Sequence, residues 1–425
     1  MTKQTSRNPW LWVPSLYFAE GLPYILVMSV AGVMYKVLGI SNADNTLFTG
    51  LLYLPWVIKP LWSPFVDIIK TKRWWILLMQ LIIGVALVGV ALVIPTNHFF
   101  QYSLTFLWLL AFSSATHDIS ADGFYMLGLS EHKQAYFIGI RNTFYRVSVW
   151  FGTGLLVFMA GKLGDMTGNN AWSWSMTFLA AAILFIALFI WHTIIIPFPV
   201  EDFNHKMHSA KQIFSGFGGT FIAFFKKKYI VVSIFFILIF RLGEAQLVKI
   251  APLFMLDSMD KGGLGLSEMQ FASVYSTAGI IALTIGGILG GIVIARQGLK
   301  KWMLPMVFAM NLPNLVYVFL AFVQPQSLWI ITGSVIIEQF GYGFGFTAFM
   351  LYLIYISAGD FKTSHYALCT GFMALGMMLP GMISGWIQEQ IGYQLFFIWV
   401  MISTIPGFII INYLRYNPKF GMKEK

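Results

Sequence analysis

Apolar stretches long enough to cross a bilayer recur along almost the whole chain, separated by short polar loops. A helix needs about 20 predominantly apolar residues to span the hydrocarbon core. Twelve segments meet that need: about 10–38, 44–67, 74–94, 101–129, 135–161, 171–197, 229–256, 267–295, 302–323, 327–357, 365–388 and 393–414. Runs such as Ile76 to Ile94 are apolar all round, whereas a transmembrane β-barrel alternates polarity over ~10-residue stretches. The pattern predicts an all-α integral membrane protein with twelve transmembrane helices. The first segment is too long for a secretory leader and no small-residue cleavage site follows it, so it is expected to be retained.

Composition agrees with the pattern. The 425 residues are 58% hydrophobic, 17% aromatic and only 10% charged, far from a soluble domain. Lysine and arginine set the orientation. With the N-terminus inside, 19 of the 27 basic residues fall in cytoplasmic loops and tails, only Lys36, Lys162 and Lys261 fall outside, and five are intramembrane. Both termini are therefore expected in the cytoplasm. The formal charge of +10 is explained by this topology and by anionic lipid headgroups, so no nucleic-acid partner is expected. The single cysteine, Cys369, excludes an internal disulfide.

The longest polar interruption, 198–228, carries Pro199, Glu201, Asp202, His205 and the run Lys226-Lys227-Lys228. It divides the chain into an N-terminal six-helix half (1–197), a cytoplasmic central loop (198–228) and a C-terminal six-helix half (229–425) with a short tail. Within the loop, Ile213 to Phe225 reads as an interfacial segment or as plain loop. The halves show a faint repeat. Phe18-Ala19-Glu20-Gly21-Leu22-Pro23 in segment one is matched by Arg241-Leu242-Gly243-Glu244, then Ala251-Pro252, in segment seven.

Ten charged side chains lie inside apolar segments: Glu20, Lys59, Asp118, Asp122, Arg141, Arg146, Arg241, Glu244, Lys249 and Glu338. Charge at that depth is costly and faces a water-filled path or another charge, as in a transporter. Asp118 and Asp122, four apart, share a helical face. Arg141 and Arg146 lie about 140° apart around the next helix, so one is expected to pair with the aspartates and the other to point into a cavity. Glu20 has Lys59 on the adjacent helix as an available partner. Glu244 has Arg241 one turn earlier, and Glu338 has only Tyr342 one turn later. A buried carboxylate suits a group that loads and releases a proton; Glu20 and Glu338 lead as coupling candidates, followed by Glu244, Asp118 and Asp122. His117 reads as a packed, neutral histidine. Sodium is an alternative coupling ion, since carboxylates serve both.

An anionic, sugar-bearing solute would be met by Lys59, Arg141, Arg146, Arg241 and Lys249, with arginine favoured for its bidentate fork. Tyr17, Tyr24, Trp56, Tyr145 and Tyr342 offer stacking faces, although any single aromatic is more often packing. Asn311 and Asn314 offer hydrogen bonds to hydroxyls. Gly341, Gly343 and Gly345, with Gly286-Gly287 and Gly290-Gly291, read as close-packing helix faces. Asp67 with Lys72 and Arg73 reads as a latch between helix ends, or as a plain topology determinant. No Walker motif, zinc spacing or nucleophile elbow is present, so the sequence supports no ATP-driven pump, hydrolase, metal site or cofactor.

Six helices plus six around a basic loop is the layout of major facilitator transporters, whose halves are parallel repeats about a midplane site. Leu61-Trp62-Ser63-Pro64-Phe65-Val66-Asp67, then Lys72-Arg73-Trp74-Trp75 and Gln80, resembles the segment two to three signature of AmpG-type muropeptide permeases and their acetyl-CoA transporter relatives. So does Ala115-Thr116-His117-Asp118-Ile119-Ser120-Ala121-Asp122-Gly123, and so does Arg241-Leu242-Gly243-Glu244. His117 stands where the family usually has glutamine and Glu244 where aspartate is frequent, and two helices of some AmpG permeases are absent. The resemblance implies a monomeric, proton-coupled importer of anhydromuropeptides or related amino-sugar fragments in the bacterial inner membrane. The alternatives are another oligosaccharide or an acyl-CoA-type anion as cargo, or a non-transporting sensor or scaffold whose charges would form closed pairs.

Overall fold

The computed structural model describes residues 7–129, 131–198, 218–219, 221–358, 362–415, 417 and 420. All regular structure in them is helical. Helix α1 covers Pro9–Val37. Helix α2 comes in two pieces, Asn42–Leu51 and Leu54–Ile68, followed by α3 (Lys72–Val93) and α4 (Phe99–Gly128). Helix α5 starts at Glu131–Trp150 and ends at Val157–Thr167, and α6 is Asn170–Ile195. Then come α7 (Ile230–Ile239 and Leu242–Leu256), α8 (Glu268–Gln297), α9 (Leu299–Val323) and α10 (Leu328–Ser357). Helices α11 and α12 share the stretch Lys362–Ile410, divided where Gly392 turns with φ 74° and ψ 167°. A side chain rarely adopts that backbone, so the last helical hairpin reverses at one glycine.

The helices form two compact units: Met1–Leu38 with Ile58–Gly216, and Gly39–Val57 with Phe217–Lys425. The first piece of α2 thus groups with the second unit, where Asn42 donates to Gln388 Oε1 at 2.6 Å and to the Tyr393 hydroxyl at 2.9 Å. Side chains on the outer faces are apolar yet exposed, Leu92 at 69% and Ile183 at 61%, as lipid rather than water requires.

Several helices are interrupted for identifiable reasons. Pro23 removes a backbone donor, and a π-helical turn follows at Leu26–Val30. Helix α5 carries another at Phe151–Leu156, and Pro313 lies in a 3-10 turn inside α9. The break in α7 at Arg241 leaves Glu244 in the first turn of the second piece. Helix α10, by contrast, is unbroken and fits closely against its neighbours. A Cβ at Gly341, Gly343 or Gly345 would lie 2.1, 2.1 and 2.3 Å from the carbonyl oxygens of Ala309, Leu283 and Met306. These glycines let α10 lie backbone to backbone on α8 and α9. Gly291 has open space instead.

Of the central loop, Phe221 to Phe225 is helical. Phe224 is fully buried, stacked on Phe372 with ring centroids 6.4 Å apart. The remainder of the proposed interfacial stretch, apart from residues 218–219, lies outside the described residues.

Candidate functional site

In the first unit, four helices bring three acids and two bases together. Lys59 of α2 donates to Asp118 Oδ2 of α4 at 2.5 Å. One turn along α4, Asp122 Oδ1 takes Arg141 Nη2 of α5 at 2.9 Å and the Tyr17 hydroxyl of α1 at 3.0 Å. The Arg141 guanidinium also stands 4.5 Å above the Tyr17 ring. Glu20 lies three residues after Tyr17 on α1. A carboxylate oxygen from each of Glu20, Asp118 and Asp122 lies within 4.8 Å of the others. Glu20 is only 7% exposed, and its Oε2 has no hydrogen-bond partner among the described residues. Fully ionised, the cluster would hold three negative and two positive charges, one negative in excess. One proton or one monovalent cation balances it.

Two expectations change here. Lys59 meets Asp118 rather than Glu20, because α4 carries its acid to the Lys59 ammonium. Tyr17 is a partner of Asp122 and Arg141 rather than a sugar platform. Arg146, five residues after Arg141, is exposed and has no ion pair among the described residues. Tyr24 and Tyr145 form a tilted, partly exposed pair with centroids 6.4 Å apart.

Beside the cluster runs a buried polar chain that sequence reasoning did not assemble. Ser15 Oγ lies 2.9 Å from His192 Nε2, His192 Nδ1 is 2.9 Å from Gln80 Oε1, and Gln80 Nε2 is 3.0 Å from His117 Nε2. It links α1, α6, α3 and α4. Gln80 and His192 are fully buried and His117 is 1% exposed, which fits the reading of His117 as packed. The available signal was three polar residues in otherwise apolar helices.

In the second unit the acids are arranged differently. Glu338 of α10 accepts at Oε2 from the Tyr317 hydroxyl at 3.3 Å and from Gln339 at 2.9 Å, so Tyr317 rather than Tyr342 is its partner. Tyr342 instead accepts from Arg241 Nη2 at 2.6 Å, and the guanidinium lies 4.8 Å from the Phe346 ring. Arg241 therefore makes no ion pair with Glu244. Glu244 is 1% exposed, and neither of its oxygens has a hydrogen-bond partner among the described residues. Lys249 reaches Thr49 Oγ1 at 3.1 Å and lies 5.4 Å from the Tyr53 ring. Asn311 donates to the Val307 carbonyl of its own helix at 2.9 Å, whereas both amide atoms of buried Asn314 are unbonded among the described residues.

The latch residues divide. The Asp67 side chain lies outside the described residues. Lys72 is 4% exposed, its stem laid over Gly123, rather than among headgroups. Arg73 donates to the carbonyls of Thr193 at 2.6 Å and Ile196 at 3.2 Å, a cation on the C-terminal carbonyls of α6, and packs on Phe198.

Residues 15–358 match the family model of the Major Facilitator Superfamily. The chain is 28% identical over 416 residues to putative transporter AmpG 4 of Rickettsia conorii, spanning 94% of this chain and 95% of the relative. It is 24% identical over 419 residues to the anhydromuropeptide permease of Escherichia coli K12, spanning 95% of this chain and 81% of that one. Among solved structures, a D-xylose–proton symporter superposes with a TM-score of 0.73 at 10% identity, covering 97% and 98% of the two chains. The nucleoside transporter NupG does so at 0.71 and 15%, covering 96% and 100%. Twelve helices among the described residues, intramembrane charge and these matches together place the chain in the Major Facilitator Superfamily, as an AmpG-like, multi-pass secondary transporter of bacterial membranes and not an enzyme.

Proposed function

We propose that this protein is a proton-coupled importer of anhydromuropeptides or closely related amino-sugar fragments, working by alternating access in the inner membrane with both termini cytoplasmic. The observation that carries the coupling is the excess negative charge of the Glu20–Asp118–Asp122 cluster, with Glu20 buried and one of its oxygens bare among the described residues. Leaving an unpaired charge in a low-dielectric interior costs several kcal/mol, so one proton on the cluster, with Glu20 as its site, neutralises the excess. Its loss then changes the balance of charge across α1, α2, α4 and α5.

For the cargo, the name of the Escherichia coli relative supplies the class. Arg146, exposed and without an ion pair among the described residues, suits a carboxylate of the solute, with the Tyr24–Tyr145 pair as a platform for a sugar face. These features favour a transporter over a sensor or scaffold, whose intramembrane charges would be closed off in pairs.

The test is uptake of labelled anhydromuropeptide into energised vesicles, with and without a protonophore. Protonophore-sensitive accumulation is expected, and Glu20→Gln should abolish it while leaving exchange partly intact. Undiminished uphill uptake by E20Q would remove Glu20 from coupling. Absence of uptake by folded, inserted protein would move the cargo to other oligosaccharides or to an acyl-CoA-type anion.

A further inference from the structure

We propose that Glu244 is a second proton-binding site, held in the second unit and loaded separately from the Glu20–Asp118–Asp122 cluster. The consequence for transport, two protons moved per solute, rests on the coupled reading above; the existence of the site does not.

The argument is one of missing partners. Glu244 is 1% exposed, and both its carboxylate oxygens lack hydrogen bonds among the described residues. The natural counter-ion, Arg241, sits one turn earlier and acts on Glu244 through space, but makes no hydrogen bond to it. It therefore offsets the charge of only one of the two glutamates of this unit, Glu244 and Glu338. Arg241 donates from Nη2 to Tyr342, its face lies over Phe346, and its Nε is itself bare. The other groups that act electrostatically on this region are Glu338 and Tyr342 of α10, Tyr275 of α8 and Tyr317 of α9. Of these, Glu338 repels a second negative charge and the phenols carry none when neutral. Lys249, farther along α7, is turned toward Thr49 and Tyr53.

Position at the start of a helical piece offers Glu244 some help, because a helix N-terminus favours an anion by about 0.3–1 kcal/mol. The penalty for an unpaired buried ion is several kcal/mol, so the dipole does not decide the matter. A proton does: it removes the charge and leaves a neutral carboxyl, whose unmade hydrogen bonds cost about 1–3 kcal/mol, less than the buried ion. A metal ion would require several oxygens converging at once, and Glu244 joins no three-membered acid or histidine cluster among the described residues.

The same comparison separates the two glutamates of this unit. Glu338 accepts from Tyr317 and Gln339, so donors already surround it. Glu244 is the bare one, and it takes the role that sequence alone assigned first to Glu338.

The experiment is infrared difference spectroscopy on the full chain in lipid, following the carboxylic-acid C=O stretch as pH is stepped. Two titrating components are expected, one lost in Glu244→Gln and the other in Glu20→Gln. Glu244→Asp should keep the first component at a displaced frequency, which guards against a glutamine variant that fails to fold. Superimposable spectra from the wild type and both Glu244 variants would overturn the proposal. So would a Glu244 band that responds to added sodium chloride and not to pH. If the two components are present while accumulation is insensitive to a protonophore, the coupling reading fails and the site stands. If both hold, the measured proton-to-solute ratio falls from two to one in E244Q.

Discussion

Lys59 and Asp118, on different helices and 59 positions apart in sequence, meet at 2.5 Å. The side chains retain 24% and 19% exposure, so the pair is partly screened. It joins α2 to α4 one turn before Asp122.

Lys59→Met should destabilise the protein by about 1–3 kcal/mol, less than the 3–5 kcal/mol lost on breaking a fully buried pair. Adding Asp118→Asn should recover much of that loss, because neither charge is then left alone. Thermal unfolding of the two single variants and the double variant closes a cycle. Strictly additive losses would mean that the contact contributes nothing of its own.

Gly392 supports a second expectation. Its φ of 74° and ψ of 167° belong to a region that residues with a side chain enter at a cost of order 1–3 kcal/mol. No atom within 4 Å would meet an added Cβ, so Gly392→Ala isolates backbone strain from steric clash. Its melting temperature should fall without loss of the helical circular dichroism signal. An unchanged melting temperature would show that the hairpin relaxes freely.

Helix count, the main helix boundaries and the acid–base content of the membrane region were legible in the chain, because lipid forces long apolar helices and makes each internal charge conspicuous. The division between α11 and α12 was expected between 388 and 393, and Gly392 lies there. What could not be read was which charge meets which. Glu20 and Lys59 are neighbours by helix order, yet the ammonium goes to Asp118, since helix rotation rather than adjacency decides the contact. Arg241 and Glu244 are correctly spaced for a pair on a continuous helix. The break at Arg241 removes that geometry and sends the guanidinium to Tyr342. The grouping of residues 39–57 with the second unit has no counterpart in hydropathy, which does not sense tertiary packing.

Two glycines in the second unit offer a paired comparison. Gly343→Ala places a Cβ 2.1 Å from the Leu283 carbonyl oxygen, a backbone atom that cannot move alone. It should push α10 off α8 and cost about 1–3 kcal/mol, as overpacking does. Gly291→Ala enters open space within α8 and should be neutral or stabilising by about 0.5–1 kcal/mol through helix preference. Equal melting temperatures for the two variants would contradict the close packing of α10.

The buried chain through Gln80 leads to the last expectation. Gln80 connects His192 to His117 with both ends of one amide, so its orientation and the two histidine tautomers are assigned jointly. An amide does not relay a proton as a hydroxyl or imidazole does, so this chain ties helices together and is not a conduction path. Gln80→Leu keeps the volume but strands one nitrogen on each histidine in a site with almost no exposure. An unsatisfied buried group costs about 1–3 kcal/mol, and two of them together should lower stability by about 2–6 kcal/mol. Adding His117→Leu and His192→Phe to the Gln80→Leu variant removes the stranded nitrogens. The triple variant should regain part of that stability if the polar chain is only a fastener. Thermal unfolding in detergent measures both variants, and protonophore-sensitive uptake shows whether the first unit still couples. Wild-type stability in the Gln80→Leu variant would mean that water enters to complete the chain, and that α3, α4 and α6 are held by packing alone.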